Sequence, residues 1–180
     1  MTYKTHLLSS FVAAIPIMTA TDTMSVSAAF ALSLGTLLPD IDEPRSWIGR
    51  RTRGISDLIR YLFGHRAETH SVTGIGVIAL FTIPIVYFTS LLPVTAAFFV
   101  FGYFMHIFAD SFSKDNPNDP DPGIRWFLPF SSKAFHSGFG ILYYRTGKLS
   151  EALVFIVLLV VLARQLNSIP IPPLGPNGLL

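Results

Sequence analysis

The chain has 180 residues, of which 51% are hydrophobic and only 13% are charged. Ordinary soluble domains carry charge on about a quarter of their residues, so this composition excludes that class and indicates a polytopic membrane domain. The absence of cysteine excludes disulfides, thiolate metal sites and cysteine nucleophiles, so any metal would have to bind nitrogen and oxygen. The sequence shows no nucleic-acid-binding motif, and its formal net charge of +2 is more simply explained by basic loops beside anionic lipid.

The first two apolar segments are short. One runs from Leu7 to about Ala20, and the other runs from about Val26 to Leu38. Each falls below the roughly 20 residues that span a bilayer, so the two are either short tilted helices or a re-entrant hairpin. A cleaved signal peptide is an alternative interpretation of the first segment, because Lys4 precedes its apolar core, but cleavage would also remove His6.

A polar segment follows, from Asp40 to His70, and it contains six arginines. Within it, apolar residues recur at the spacing i, i+3, i+4 and i+7, which predicts an amphipathic helix lying on the membrane surface beside anionic headgroups. These residues are Ile55, Leu58, Ile59 and Leu62.

The second half of the chain contains three further apolar segments. Val72 to about Leu92 is the strongest transmembrane candidate, Val94 to about Phe112 returns across the membrane, and Glu151 to about Leu166 is the last helix. Turn-forming residues predict a loop over Ser113–Asp121. We therefore predict an all-α fold: a polytopic bundle of about five apolar helices with a cytoplasmic amphipathic helix, forming one domain over residues 1–180.

The distribution of basic residues predicts the orientation in the membrane. The loops Asp40–His70 and Ser113–Ser150 hold six and five of the 13 Lys and Arg residues, and Lys4 precedes the first helix. Because cytoplasmic loops are enriched in Lys and Arg, the N-terminus and both loops are expected in the cytoplasm and the C-terminus outside.

This topology brings seven histidine and aspartate side chains to one membrane face, at the ends of different segments. His106 and Asp110 are spaced i, i+4, one turn apart on a single helix, as helical metal ligands often are. Four imidazoles and three carboxylates exceed the needs of one tetrahedral ion and suffice for two. The predicted metal ligands are His6, Asp40, Asp42, His65, His70, His106 and Asp110.

Several spaced motifs identify a family. They are T-H-L-L at Thr5–Leu8, L-L-P-D-I-D at Leu37–Asp42, P-R-S-W-I-G at Pro44–Gly49, G-H-R-A-E-T-H-S at Gly64–Ser71 and G-Y-F-M-H-I-F-A-D at Gly102–Asp110. Together they resemble the YdjM-like family of bacterial membrane-bound, metal-dependent hydrolases, often LexA-regulated in expression. That family is itself remotely similar to zinc-dependent phospholipase C and single-strand nucleases. The resemblance implies a hydrolase of the bacterial inner membrane.

Two positions depart from the family pattern. Glu43 stands where the family usually has histidine, so its carboxylate either binds metal or is solvated. Ala67 stands where the family usually has glycine, which reduces the freedom of the backbone at that turn.

These residues predict metal-assisted hydrolysis. One or two divalent ions, with zinc favoured and manganese or iron as alternatives, would lower the pKa of a bound water, and the resulting hydroxide would attack a phosphoester. Arg66 would stabilise the developing negative charge, and Glu68 is the candidate general base. Because the cluster is expected at headgroup depth, membrane lipid is the expected partner and a lipid or lipid-linked phosphate the expected substrate, with an amide or acyl ester left open.

Structural roles compete with these assignments. His6 could cap an interfacial helix, Asp40 and Asp42 could end a helix after Pro39, and Arg66 could simply be a positive-inside residue. Thr69 and Ser71 are expected to be helix caps, and His136 is expected to be a surface histidine rather than an eighth ligand.

Two other function classes also remain. A structural metal would make the protein a membrane scaffold or stress-response adaptor. The polar cluster could alternatively belong to an ion or proton pathway, although Val72–Leu92 and Glu151–Leu166 contain few polar residues that could continue such a pathway across the bilayer.

Overall fold

A computed structural model of the chain describes residues 1–63, 68–89, 91–114, 123–138 and 142–169. The described residues form helices and connecting turns without a named strand, which confirms the predicted all-α class. Two short 3₁₀ helices, Leu38–Asp42 and Glu68–His70, lie between longer ones. The α-helices of the described residues are α1 (Tyr3–Ala20), α2 (Val26–Leu37), α3 (Arg53–Phe63), α4 (Val72–Phe88), α5 (Pro93–Asp110) and α6 (Leu149–Ser168).

The predicted amphipathic segment is helix α3. Its apolar residues are largely solvent-exposed, with Ile55 at 59%, Leu58 at 55% and Leu62 at 59% of full exposure. The helix therefore presents an apolar surface that the rest of the described chain does not cover. Its predicted contact with the membrane surface remains a prediction.

Two of the described helices are long and apolar enough to cross a membrane. These are α5, with a mean hydropathy of 1.3, and α6, with a mean hydropathy of 2.1. Helix α4 is apolar but has 17 residues, and α2 has 12 residues, which corresponds to about 18 Å against a hydrocarbon core of about 30 Å. The predicted bundle of five spans is thus not confirmed, because apolar composition predicted the helices but not their lengths.

Helices α2 and α5 pack closely against each other, and glycine permits this contact. A Cβ atom on Gly35 would lie 1.9 Å from the carbonyl oxygen of Phe99, and one on Gly102 would lie 2.3 Å from the carbonyl oxygen of Leu32. Each helix therefore meets the backbone of the other at a position where a side chain has no room. This contact fixes how α5 is placed along α2.

Helix α1 completes the helical core on one side of this pair. Its Ala14 and Met18 are buried against Leu32 of α2 and Phe98 of α5. Helix α6 packs on α1, and Gln165 Nε2 donates to the carbonyl oxygen of Val12 at 3.0 Å.

The close contact of α2 with α5 predicts a specific stability difference. Replacing Gly102 with alanine should push the two backbones apart and lower the free energy of unfolding by about 1–3 kcal/mol. Replacing Gly76 of α4, where an added Cβ meets no atom within 4 Å, should be neutral or stabilise by up to about 1 kcal/mol. Unfolding in detergent, followed by circular dichroism, measures both; a Gly102→Ala protein as stable as Gly76→Ala would contradict this packing.

Candidate metal centre

Five of the seven predicted ligands meet in space, in two overlapping groups. One group contains His6, His106 and Asp110, and the other contains Asp40, His70 and His106. Within each group the potential ligand atoms lie within 4.8 Å of one another. We call these five residues the His106 cluster, because His106 belongs to both groups.

The end of α2 fixes the orientation of the His106 ring. Nδ1 of His106 lies 2.7 Å from the carbonyl oxygen of Thr36, in the last turn of α2. Pro39, three residues after Thr36, has no N–H to occupy that carbonyl. Since a carbonyl only accepts hydrogen bonds, Nδ1 carries the proton and Nε2 carries the lone pair.

The other nitrogen of His106 faces the cluster. Nε2 lies 3.6 Å from Oδ1 of Asp40, and it has no hydrogen-bond partner among the described residues. The residue is only 1% exposed. A buried nitrogen with an unused lone pair beside a carboxylate is a suitable ligand for a divalent cation.

His6 lies against His106. The two rings stack with centroids 3.8 Å apart, and Nε2 of His6 lies 3.3 Å from Oδ1 of Asp110. His6 belongs to α1, outside the two candidate spans. Burial, followed by the neighbouring His106 ring, holds the pKa of His6 well below its usual value, so the ring is neutral at neutral pH and can act as a ligand.

Donors gather around Asp110 at the C-terminal end of α5. Its Oδ1 accepts hydrogen bonds from the amino group of Met1 at 3.1 Å and from the hydroxyl of Tyr144 at 3.0 Å. Its other oxygen, Oδ2, lies 3.9 Å from Nε2 of His70. Neither Met1 nor Tyr144 is predicted from the sequence, because neither lies in a motif or on the helices that carry the predicted ligands.

Asp42 has a different place from Asp40. Its Oδ2 lies 3.1 Å from Nδ1 of His70, on the side of the ring away from Asp110, and Thr69 donates a hydrogen bond to the same carboxylate oxygen. Asp42 belongs to neither group. A carboxylate on the outer nitrogen of a histidine orients the ring and raises its basicity.

The two expected helix caps differ. Ser71 caps α4, because its hydroxyl accepts from the N–H of Gly74 at 3.1 Å. Thr69 instead contacts Asp42 and His70, so its expected role as a helix cap is wrong.

The remaining sequence predictions fall outside the cluster or outside the described residues. His65 and Arg66 lie outside the described residues. Glu68 is half-buried in a 3₁₀ helix and belongs to neither group. His136 is also half-buried and also belongs to neither group. Glu43 pairs with Arg45 at 3.1 Å and with Arg60, so its carboxylate is neither in the cluster nor simply solvated.

The buried Glu151 carboxylate of α6 holds the start of α1 in place by hydrogen bonds. Oε1 of Glu151 accepts from the N–H of Thr2 at 2.6 Å and from the hydroxyl of Thr5 at 2.8 Å, while Oε2 accepts from the N–H of Gly147 at 2.6 Å. The bonds to Thr2 and Thr5 hold the segment that directly precedes His6. An acidic residue in the first turn of an apolar helix was the available sequence signal, although it did not reveal the partners.

A family model described as "YdjM inner membrane protein" matches residues 1–169. The chain belongs to the YdjM family. The predicted resemblance is therefore confirmed, and the match extends well beyond the motifs that end at Asp110.

Individual relatives agree with this assignment. Over 127 residues the chain is 35% identical to "Inner membrane protein YdjM" of Escherichia coli and to the protein of that name in Shigella flexneri, covering 61% of this chain and 60% of each relative. It is 27% identical to YvsG of Bacillus subtilis over 154 residues, covering 86% of this chain and 87% of that protein. The match thus spans about three fifths of the YdjM relatives. No solved structure matches. These names support a bacterial inner membrane location.

The Glu151 contacts predict that this YdjM-family protein depends on that carboxylate. In Glu151→Gln, an amide NH₂ replaces one of the two accepting oxygens and faces N–H or hydroxyl donors, so the free energy of unfolding should fall by about 1–3 kcal/mol. Asp57→Asn, on the exposed side of α3, is the matched control. Equal unfolding free energies for the two variants would show that Glu151 does not hold the start of α1.

Proposed function

We propose that this YdjM-family protein is a membrane-bound, metal-dependent hydrolase that cleaves a phosphoester at the cytoplasmic face of the inner membrane. The observation that carries the proposal is the convergence around His106 of imidazoles and carboxylates from two α-helices and two 3₁₀ helices, all within metal-ligand reach. Such a group is costly to bury unless a cation or proton engages it.

The donor set fits a divalent ion of intermediate softness. Imidazole nitrogens combined with carboxylate oxygens suit zinc, with manganese or iron as alternatives. His6, His106 and Asp110 of one group, or Asp40, His70 and His106 of the other, would hold the ion.

The geometry favours one ion bound by His106 over two. Both groups use His106, whose Nδ1 is engaged by the Thr36 carbonyl, so only Nε2 remains. One lone pair serves one ion. The predicted second ion would need ligands beyond the cluster, and His65 is the remaining histidine of the predicted set.

Several residues have roles in the proposed reaction. When bound, a divalent cation supplies Lewis-acid chemistry for hydrolysis. Asp42 holds the His70 ring through Nδ1, and Met1 and Tyr144 hold Asp110 through Oδ1. Glu68 remains the candidate proton acceptor, and Arg66 the candidate group for stabilising negative charge.

The substrate is proposed to be a lipid or lipid-linked phosphoester. Asp110 ends α5, and Glu151 in the first turn of α6 binds Thr5 next to His6, so the cluster lies at one end of both candidate spans, where a bilayer would meet water. The basic loops favour the cytoplasmic side for this end, with a multi-pass topology and the C-terminus outside. The exposed apolar face of α3 would rest on the same surface.

A structural metal is the second candidate, and the burial of the ligands favours it. His6 and His106 are 1% exposed and His70 is 0% exposed, as in closed sites without a position for substrate. The protein would then be a membrane scaffold or stress-response protein.

Metal content tests the site itself. Purified protein should contain about one divalent ion per chain, and His106→Gln and Asp110→Asn should lose it because each removes a ligand. Asp57→Asn should retain it. Elemental analysis measures the content, with circular dichroism to verify folding; full metal content in both ligand variants would refute the site, and loss of fold in both would favour the structural alternative.

The Asp42 carboxylate should tune the affinity without binding the ion. In Asp42→Asn the weaker acceptor lowers the basicity of His70, so metal affinity should fall about 10–100-fold while the chain stays folded. Competition with a fluorescent chelator measures the affinity, with Asp57→Asn as control. An unchanged metal affinity would show that Asp42 does not support the metal site.

Turnover tests the reaction. Protein freed of metal with a chelator should not release phosphate from a phosphomonoester lipid in mixed micelles, and adding zinc, manganese or iron(II) should restore release. His106→Gln should stay inactive after metal addition. Hydrolysis of soluble nucleotides without hydrolysis of lipid would contradict the membrane substrate, and metal-loaded folded protein without turnover on any phosphoester would contradict the enzyme.

A further inference from the structure

A polar cavity of about 680 Å³ adjoins the His106 cluster. Asp40 and Asp110, one from each group of the cluster, form part of its wall. Three basic residues, Lys4, Arg45 and Arg50, also line it. The cavity therefore places cationic side chains beside the same carboxylates that would hold a metal ion.

The charges that line the polar cavity do not cancel once a cation is bound. A divalent ion would balance Asp40 and Asp110, and Arg45 is already paired with Glu43 at 3.1 Å. Lys4 and Arg50 are exposed and have no acidic partner in the described part of the chain. Two side-chain cations, in addition to the Met1 amino group on Asp110, thus remain for an anionic ligand.

The aromatic wall of the polar cavity argues against a nucleobase. Trp47 lines the cavity, but its ring already stacks with Tyr3 at 5.7 Å and lies under the guanidinium of Arg51 at 3.8 Å. Little of that ring remains for stacking on a base.

An apolar cleft of about 440 Å³ shares Met1 with the polar cavity and is also lined by Ala109, the neighbour of Asp110 in the chain. It runs between α1, α5 and α6 and is lined by side chains such as Val12, Phe108, Val154 and Leu158. Met1 lines both the cleft and the polar cavity. Tyr144 also lines the cleft, and its hydroxyl contacts the same Asp110 oxygen as the amino group of Met1.

We propose that the polar cavity and the apolar cleft are the two halves of one binding site for a phospholipid. Lys4 and Arg50 bind the anionic phosphate head beside the cluster, and the hydrocarbon chain occupies the cleft between α5 and α6. This inference rests on the proposed function for the bond that is cleaved. It adds how the substrate is recognised and which residues select an amphiphile over free phosphate.

Binding, measured apart from turnover, tests the polar half. The probe is a non-hydrolysable phosphonate analogue of phosphatidic acid, titrated into metal-loaded, full-length protein in neutral detergent. The double variant Lys4→Gln with Arg50→Gln should weaken binding about tenfold or more, because two charge-assisted contacts are lost. Arg53→Gln, an exposed arginine of α3 outside the cavity, controls for general attraction of anionic lipid and should bind as the wild type does.

Filling the cleft tests the apolar half. Val154→Trp should weaken binding of the lipid analogue but leave binding of inorganic phosphate unchanged. Leu153→Trp is the matched control, because Leu153 is the preceding residue of α6, 55% exposed and absent from the cleft wall. Metal content and circular dichroism, measured for all variants, identify any that fail to fold, and Val154→Phe then replaces Val154→Trp.

The outcomes separate this inference from the proposed function. Weaker lipid binding in the polar double variant and in Val154→Trp, but in neither control, supports the two-part site. This holds even if no lipid is hydrolysed, because the absence of hydrolysis would contradict only the proposed reaction. Unchanged lipid binding in the double variant overturns the phosphate site. Equal binding of lipid by Val154→Trp and Leu153→Trp overturns the chain site, even where turnover on a lipid has been demonstrated.

Discussion

The close contact between α2 and α5 is the constraint on which the site depends. Gly35 and Gly102 let the two backbones approach until each helix touches the carbonyl groups of the other. His106 lies one turn beyond Gly102, and Thr36 immediately follows Gly35, so the same contact brings the His106 ring to the Thr36 carbonyl. Because Pro39 has no N–H, the residue three positions after Thr36 cannot donate a hydrogen bond to that carbonyl. The packing of α2 against α5 therefore determines which nitrogen of His106 is available for chemistry.

Burying acidic groups at the ends of helices requires donors, and the chain supplies them from distant positions. Asp110 lies at the C-terminal end of α5, where the helix dipole disfavours negative charge, and the Met1 amino group and Tyr144 hydroxyl offset that cost. The Asp42 carboxylate accepts a hydrogen bond from Thr69 and lies 3.1 Å from Nδ1 of His70. Each carboxylate thus has a partner that restrains it, which pre-organises the cluster without fixing every oxygen.

The sequence predicted which helix ends would meet, because apolar segments and the bias of basic residues together determine the shared face. It could not distinguish Asp40 from Asp42. Residues two apart in a 3₁₀ helix point about 120° apart around its axis, so only the turn Leu38–Asp42 decides that one faces the cluster and the other faces the back of His70. The partners of Tyr144 and Glu151 were beyond sequence reasoning because they come from long-range contacts of the C-terminal part. The predicted number of membrane spans is not confirmed, because hydropathy does not measure where a helix ends.

Helix α6 is connected to α1 at two levels, by Glu151 near its start and by Gln165 near its end. Most of the α6 surface faces away from the described part of the protein, and only 6% of its most apolar 18 residues are buried. The tilt of such a helix responds to the thickness of the surrounding hydrocarbon. Because the two helices are bound together at both levels, a change of tilt in α6 within a bilayer would move the start of α1 with it, and with that the position of His6 relative to His106.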